Sequence, residues 1–216
     1  MSSNNSLATN THIYTQVTAA TYPNLYEAFQ NKSNVKHFSE GETIVFQAEK
    51  TQSLGLIDSG TVEIHITSVD GDTYIAEQIE AGSVLNGVSY LDAEPSPADV
   101  IAKTKCAVRF LPYKMLRNNS ILDVEATKLT AYTAAKLYRL AERLFTNAML
   151  LPLRDRIIRR LTSLSNENAQ VKITAEKLAI YLGVSKYKVH RLFKILESEG
   201  LIKCDYGLVT LLENKD

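Results

Sequence analysis

The sequence predicts an α+β fold in which an antiparallel β domain precedes one long helix and a small helical domain. Residues 35–111 contain short runs rich in Val, Ile and Thr between turn residues, whereas residues 120–151 contain neither Pro nor Gly. Residues 174–212 combine two short amphipathic segments with two β-prone segments. The chain has 216 residues, of which 45% are hydrophobic, and therefore makes one large domain or two small ones. The predicted boundaries are a flexible tail at 1–18, a β domain at 19–118, a long helix at 119–150 and a helical domain at 151–216.

The first part of the chain changes from a polar tail to a short helix and then to strands. The first dozen residues are small and polar, and they cannot bury enough apolar area to offset the entropy of ordering. A helix is predicted at 22–31, where three apolar residues lie at helical spacing.

Short strands dominate the β domain. Val62, Ile64 and Ile66 alternate with polar residues, which is the period of a strand with one buried face. Gly71 predicts a hairpin turn at 69–72. Many short strands at about ten-residue spacing predict a β-sandwich or a jelly roll.

A single helix of about thirty residues is predicted after the β domain. Apolar or small side chains recur there at intervals of three and four residues, and the stripe comprises Leu129, Thr133, Leu137, Leu140 and Leu144. A small domain cannot cover a stripe of that length on one side, so we expect the stripe to pair with the same helix of a second subunit. The alternative is that the stripe packs against the chain's own β domain.

The carboxyl-terminal domain contains the pattern of a helix-turn-helix. Thr174 is a good amino-terminal cap for a first short helix, and Gly183 supplies the turn. Ser185 would cap a second helix, predicted at 185–198. Two β-prone segments follow Gly200 and predict a hairpin, which would make the domain a winged helix.

The outer side of the second helix is rich in cations and hydrogen-bond donors. Its residues are Lys186, Tyr187, Lys188, His190, Arg191 and Lys194. A helix of this kind fits the major groove of DNA, where Arg191 is suited to guanine and Lys186 and Tyr187 to neighbouring bases or phosphates. We expect Thr174, Ser185, Lys188, His190 and Lys194 to contact the sugar-phosphate backbone. The alternative is that these residues form an ordinary solvated helix face.

Charge is distributed unevenly along a chain that is neutral overall, with 24 basic and 24 acidic residues. Residues 154–194 hold ten basic and three acidic side chains. The excess is local and indicates a module that faces a polyanion. It argues against the alternative function, a ligand-binding signalling protein whose winged helix docks a protein partner.

At this point the sequence resembles the bacterial transcription regulators of the cyclic-AMP receptor protein/FNR (Crp/Fnr) family. The resemblance rests on ITAEKLAIYLGVSKYKVHRLFKILESEGLI at its carboxyl-terminal end and on FSEGETIVFQAEK, LIDSGTVEIH and DGD in the β domain. It spans residues 35–212. It implies a cyclic-nucleotide-binding jelly roll, a homodimer paired along the long helix, and a two-fold symmetric operator on double-stranded DNA.

The predicted effector pocket departs from the family pattern. Cyclic-nucleotide binders carry a Gly-Glu pair for the ribose and an Arg-Ser or Arg-Thr pair for the phosphate, and Asn86-Gly87 and Ser96-Pro97 stand in their places. The candidate pocket comprises Asn86, Gly87, Val88, Ser89, Ser96, Pro97 and Ala98. A phosphate enclosed without a countercharge is heavily penalised, so we expect an effector other than cyclic AMP, or none. The recognition helix departs as well, because Tyr187 replaces the usual Glu and cannot accept from cytosine as a carboxylate would.

Other classes of function find little support in the sequence. The four His residues form no metal-spaced pair, and no nucleophile motif or phosphate loop occurs, so we expect no catalytic residues, no metal and no cofactor. Cys106 and Cys204 are too few for a disulfide framework or an iron-sulfur centre and are expected to be inert thiols. No run of about 18 apolar residues and no export signal is present, which predicts a cytoplasmic protein without a membrane partner. RNA polymerase is a further candidate partner.

Overall fold

The computed structural model describes residues 16–212, which divide into two compact units on either side of residue 141. Of the predicted tail at 1–18, residues 1–15 lie outside the described residues. Val17, near the end of that range, is buried and donates its backbone N–H to the carbonyl of Gly82 at 2.9 Å. Val17 therefore packs within the β domain, two residues before the predicted boundary at residue 19.

The first unit is a jelly roll of two four-stranded antiparallel sheets. One sheet has the strand order β1-β8-β3-β6 and the other β2-β7-β4-β5. The elements are α1 (Pro23–Lys32), β1 (Asn34–Phe38), β2 (Thr43–Val45), β3 (Ser53–Ser59), β4 (Thr61–Thr67), β5 (Thr73–Glu80), β6 (Val84–Leu85), α2 (Gly87–Asp92), β7 (Asp99–Ala102), β8 (Cys106–Pro112), α3 (Tyr113–Arg117) and α4 (Ser120–Leu150). The predicted jelly roll and the helix near 22–31 are confirmed.

The β4–β5 hairpin follows the predicted pattern. The strands pair from Thr61 opposite Glu80 to Thr67 opposite Thr73. At the turn, Gly71 has a φ of 86°, a left-handed conformation that glycine adopts without a steric penalty. Its N–H donates to the carbonyl of Ser68 at 3.0 Å, which closes the turn.

Apolar side chains form two core clusters in this unit. One contains Ile57, Val62 and Val108, together with residues from other strands of both sheets. The other includes Phe29 of α1 and Leu129 of α4, both fully buried. Full burial of a side chain of this size contributes about 1.5–3 kcal/mol, so both helices are integral parts of the jelly-roll unit.

Helix α4 has the predicted length, and the first part of its apolar stripe packs against the chain's own jelly roll. Leu129 is fully buried and Thr133 is 9% exposed within a single chain. Leu137 also packs on the core between the sheets. Burial of Leu129 and Thr133 within one chain favours the alternative that this part of the stripe packs against the chain's own β domain. Leu137, Leu140 and Leu144 are half-buried, and their assignment to a dimer interface stays a prediction.

The second unit contains three helices and a three-stranded sheet with the order β10-β11-β9. Its elements are the end of α4, α5 (Leu153–Leu164), β9 (Gln170–Lys172), α6 (Ala175–Leu182), α7 (Lys186–Ser198), β10 (Ile202–Asp205) and β11 (Leu208–Leu211). The predicted helix-turn-helix and the wing hairpin are present. Strand β9 is an addition, and Val171 pairs there with Val209 of the hairpin.

Local signals at 174–185 form the helix-turn-helix largely as expected. The Thr174 hydroxyl accepts the N–H of Lys177 at 3.1 Å and caps α6. Gly183 ends α6 with a φ of 61°, which a residue with a side chain rarely adopts. Ser185 lies at the cap position of α7, but its side chain makes no capping hydrogen bond. Leu178, Val189 and Leu196 are fully buried and fix α6 against α7.

Candidate nucleic-acid interface

Helix α7 separates its apolar and polar residues onto opposite sides. Val189 and Leu196 are fully buried and Phe193 is 8% exposed, at the three- and four-residue spacing of one helix face. All the side chains predicted to contact DNA from this helix are exposed: Lys186, Tyr187, Lys188, His190, Arg191 and Lys194. The structure therefore brings the predicted recognition residues together on one solvent-facing surface, which we call the α7 surface.

Electrostatics at the α7 surface favour an anion. The helix has no acidic residue before Glu197, and its amino-terminal end carries the positive end of the helix dipole. The Glu197 carboxylate accepts the backbone N–H of Cys204 at 2.9 Å, so it is directed toward the wing strand β10. The charges of the cations near the start of α7 thus add to the positive potential of the helix dipole.

One acidic residue that the sequence interpretation missed lies beside this surface. The Glu176 carboxylate on α6 is 3.6 Å from Nζ of Lys186, and Nζ also lies 5.9 Å from the ring centroid of Tyr187. An exposed ion pair of this kind contributes little to stability, roughly 0–1 kcal/mol, and a phosphate could replace it. A sequence signal existed, because an acid in the first turn of a helix is favourable and Glu176 occupies that turn.

The two predicted hydroxyl contacts lie at the starts of the two helices. Thr174 and Ser185 are both exposed. The Thr174 oxygen accepts a hydrogen bond from Lys177, which leaves its proton available to donate. Ser185 makes no capping bond, so its hydroxyl is also available to a phosphate oxygen.

Arginines of α5 contribute to the local charge excess but make contacts within the unit. A guanidinium N–H of Arg156 donates to the carbonyl of Leu182 at 2.7 Å, and Arg160 stacks 4.3 Å from the ring centroid of Tyr181. Arg154 pairs with Glu199 at 2.6 Å, and this hydrogen bond raises the pKa of the guanidinium. Three of the four arginines of α5 thus make contacts within the unit, whereas Arg159 is exposed and its charge adds to that of the α7 surface.

Neither cysteine has the environment of a reactive thiol. Cys106 is buried, and its Sγ lies 3.3 Å from the carbonyl of Thr61. Partial burial, followed by the negative charges of Glu197 and Asp205, raises the pKa of the Cys204 thiol. A raised pKa reduces the thiolate fraction, which is the reactive form.

The first half of the predicted effector pocket is occupied by contacts with the rest of the jelly roll. Asn86 adopts a left-handed conformation at the start of α2, and its Nδ2 donates to the carbonyl of Ser53 at 3.0 Å. A Cβ atom at Gly87 would lie 2.8 Å from Cγ2 of Thr130 on α4. Val88 is half-buried and Ser89 is buried, and the Ser89 hydroxyl has no hydrogen-bond partner among residues 16–212.

The second half of the predicted pocket makes contacts with a different part of the unit. The Ser96 hydroxyl is buried and donates to the carbonyl of Ala98 at 2.8 Å. The backbone of Ser96 bonds to Ala48 and Glu49 in the loop after β2. Pro97 is exposed and Ala98 is buried. The Ser96 side chain is therefore already hydrogen-bonded within its own loop.

Comparison with known proteins finds similarity to transcription regulators over most of the chain. Residues 35–119 match the cyclic nucleotide-binding domain. The chain is 27% identical over 186 residues to the cAMP-activated global transcriptional regulator CRP of Escherichia coli O157:H7, a match that covers 82% of this chain and 88% of that protein. It is 25% identical over 179 residues to the cAMP-activated global transcriptional regulator Vfr of Pseudomonas aeruginosa, covering 77% and 84%. These similarities support a transcription regulator of the Crp/Fnr family.

Solved structures agree with this assignment at the level of the fold. The chain superposes on the global regulator CLP of Xanthomonas campestris with a TM-score of 0.77 and 18% sequence identity, covering 89% of this chain and all of that one. No helix within residues 16–212 is both long and apolar enough to cross a membrane.

The residues of the candidate pocket do not fit a cyclic nucleotide. The positions expected to bind the ribose and the phosphate hold Gly87 and Ser96, neither of which carries a charge. A longer side chain at position 87 would collide with Thr130, and the Ser96 hydroxyl is already engaged. The unpaired hydroxyl of Ser89 cannot replace a guanidinium opposite a phosphate.

Proposed function

We propose that this Crp/Fnr regulator is a homodimer that binds double-stranded DNA in a sequence-specific manner. The observation that carries the proposal is the α7 surface, which presents Lys186, Tyr187 and Arg191 to solvent on a helix whose other face is buried. A helix of this size fits the major groove, with its amino-terminal residues toward the base edges. The recognition helix at 185–198 would occupy the groove in this way.

Each residue of the α7 surface has a proposed role set by its chemistry. Arg191 would donate two hydrogen bonds to a guanine, and Tyr187 would contact a thymine methyl group or a phosphate. Lys186 would exchange the Glu176 carboxylate for a base or a phosphate. We assign Thr174, Ser185, Lys188, His190 and Lys194 to the sugar-phosphate backbone.

A second apolar row on α4 supports a dimer. Ile121, Val124 and Tyr138 are 57%, 61% and 73% exposed. With exposed Lys128, Ala131 and Ala135 they form a row in which residues are spaced alternately by three and four: Ile121, Val124, Lys128, Ala131, Ala135 and Tyr138. That alternation is typical of the contact line of two paired helices. We call this row the α4 seam.

The α4 seam has the properties that the sequence-based stripe lacks. Its side chains are on the opposite side of the helix from Leu129, which the jelly roll covers. Small residues at 131 and 135 would allow close approach of two helices, and Lys128 would disfavour a register that places two lysines together. Two copies related by a two-fold axis would present two α7 surfaces to a palindromic operator, with half-sites about 34–36 Å apart.

The effector of this regulator is proposed to be a molecule other than cyclic AMP, or none. CRP and Vfr are described as cAMP-activated, and CLP is described as responsive to c-di-GMP, so similar folds serve different signals. The uncharged Gly87 and Ser96 support a departure from cyclic AMP in this chain.

Selection of duplexes from a random library tests the proposed function directly. The purified protein should enrich short palindromic duplexes, and its affinity for them should fall steeply with salt because phosphate contacts release counterions. The control is Lys50→Ala, which removes a positive charge from the loop after β2 and should leave the enriched sequence unchanged. Failure to enrich any sequence at low salt, or a monomer at every concentration tested, would contradict the proposal.

A further inference from the structure

Tyr90 of α2 connects three helices of the jelly-roll unit. Its side chain is 1% exposed, and its hydroxyl donates to the carboxylate of Asp123 on α4. Its backbone carbonyl accepts from the guanidinium of Arg117 on α3, and the guanidinium carbon lies 4.6 Å from the centre of the Tyr90 ring. Burial and the Asp123 carboxylate raise the pKa of Tyr90, so the hydroxyl keeps its proton and remains a donor.

Tyr113 fixes the other end of α2. Its hydroxyl donates to the carbonyl of Asn86 at 2.9 Å, and it therefore accepts from the Thr51 hydroxyl at 2.8 Å. Its ring lies 5.2 Å from the ring of Tyr90 with an angle of 58° between the planes, a favourable tilted arrangement. We call Tyr90, Tyr113, Arg117 and Asp123 the Tyr90 cluster.

The amino-terminal end of α2 also approaches α4 closely. The Thr130 hydroxyl donates to the carbonyl of Ala126 at 2.7 Å, which fixes its methyl group toward Gly87. A β-branched residue has few rotamers in a helix, so the methyl group cannot easily move away. The place where a longer side chain at 87 would extend is therefore filled by Thr130.

We infer that the Tyr90 cluster, together with the Gly87–Thr130 contact, replaces a small-molecule effector by holding α2 against α4 in the unliganded protein. The inference rests on the proposed function and concerns its regulation: DNA binding by this chain would not depend on a cyclic nucleotide. A ligand shifts an equilibrium only by its difference in affinity for two states. Here the side chains of the chain itself supply that difference, because the hydrogen bond from Tyr90 to Asp123 exists only when α2 lies on α4.

Ligand addition to the wild-type protein is the first test. The affinity for the selected operator is measured by fluorescence anisotropy without ligand and with saturating cyclic AMP, cyclic GMP or c-di-GMP. We expect changes smaller than about twofold in each case. An increase of about tenfold or more with any of these nucleotides, equivalent to about 1.4 kcal/mol, would overturn the inference.

Removal of one hydrogen bond is the second test. Tyr90→Phe and Asp123→Asn each break or weaken the contact between α2 and α4, and we expect each to lower operator affinity by about tenfold. The double variant should lose little more than either single variant, because both changes affect the same bond. Tyr26→Phe is the matched control, since it removes a tyrosine hydroxyl from α1, outside the cluster. Folded variants that bind the operator as tightly as the wild type would contradict the inference.

Hydrogen exchange separates this inference from the proposed function and does not require variants that fold. The backbone amides of Tyr90 and Ala93, which bond to the carbonyls of Asn86 and Ser89, should be protected in the unliganded wild-type protein. Fast exchange at both positions would refute the inference even if DNA binding is found. Protection together with no binding to any duplex would instead refute the proposed function alone.

Discussion

Gly87 lies directly against Thr130, so that a Cβ atom on Gly87 would be 2.8 Å from the Thr130 methyl group. The backbone of Gly87 is not in the left-handed region, so steric contact alone requires glycine at this position. The Thr130 methyl group of α4 thus lies where a side chain at position 87 would extend, the position at which cyclic-nucleotide binders carry a carboxylate. This relationship can be tested by stability measurements alone.

Gly87→Ala should destabilise the jelly-roll unit by about 1–3 kcal/mol, because the added methyl group overpacks the contact. Thr130→Ser removes the opposing methyl group and keeps the hydroxyl that bonds to Ala126. Alone it should cost about 1 kcal/mol for a small cavity. The double variant should be more stable than the sum of the two single effects predicts, measured by urea unfolding. Strict additivity would show that the two side chains do not meet.

The recognition helix and the jelly roll could be predicted from the sequence because their signals are local. Thr174, Gly183 and the apolar spacing of Val189 and Leu196 each act within a few residues. Gly71 likewise marks its turn without help from distant residues. Where local signals are this strong, the folded chain adopts the local structure that they predict.

Contacts between distant parts of the chain could not be predicted in the same way. The Glu125 carboxylate accepts the N–H of Leu25 at 2.7 Å and caps a helix a hundred residues earlier, which no spacing rule reveals. The stripe through Leu129 and the α4 seam have similar periods, and only the jelly roll decides which of them is covered. Tertiary packing therefore decides which face of α4 is buried.

Arg191→Ala should weaken operator binding by about 1–3 kcal/mol and relax selectivity at one base pair, because a bidentate guanine contact is lost. Lys194→Ala, a change of a neighbouring cation, should weaken binding to all sequences alike and lower the salt dependence. Competition gel shifts with operators varied at single positions separate the two effects. Unchanged base preference in Arg191→Ala would remove this residue from the base-contacting set.

Val124→Glu should dissociate the dimer, because it places two like charges along the α4 seam. Operator affinity should fall as well, since two linked α7 surfaces bind more tightly than one. Ile66→Glu is the matched control: Ile66 is an apolar side chain of β4 that is 42% exposed, compared with 61% for Val124. Sedimentation equilibrium measures the association constant. A dimer as stable as the wild type would exclude the α4 seam as the interface.

Alkylation of Cys204 should show a midpoint above the ordinary cysteine value of 9.0, because partial burial and the nearby carboxylates of Glu197 and Asp205 raise its pKa. The thiolate is the reacting form, so at any pH below that midpoint Cys204 should react more slowly than a free cysteine. Cys106 should stay unmodified in the folded protein because it is buried. Iodoacetamide labelling followed by mass spectrometry across the pH range measures both thiols, and rapid labelling of Cys204 near neutral pH would contradict the assignment.

Glu176→Gln should raise the affinity for any duplex by a few fold, because it removes a negative charge next to a surface that binds phosphates. It should also release Lys186, whose Nζ lies 3.6 Å from the carboxylate. Lys186→Ala should therefore weaken binding more strongly in the Glu176→Gln background than in the wild type. Affinities of the four proteins, measured at two salt concentrations, give this coupling as a double-mutant cycle. If the two changes are independent at both salt concentrations, Glu176 does not control the position of Lys186. Base selection at the start of α7 then depends on Lys186, Tyr187 and Arg191 without a contribution from Glu176.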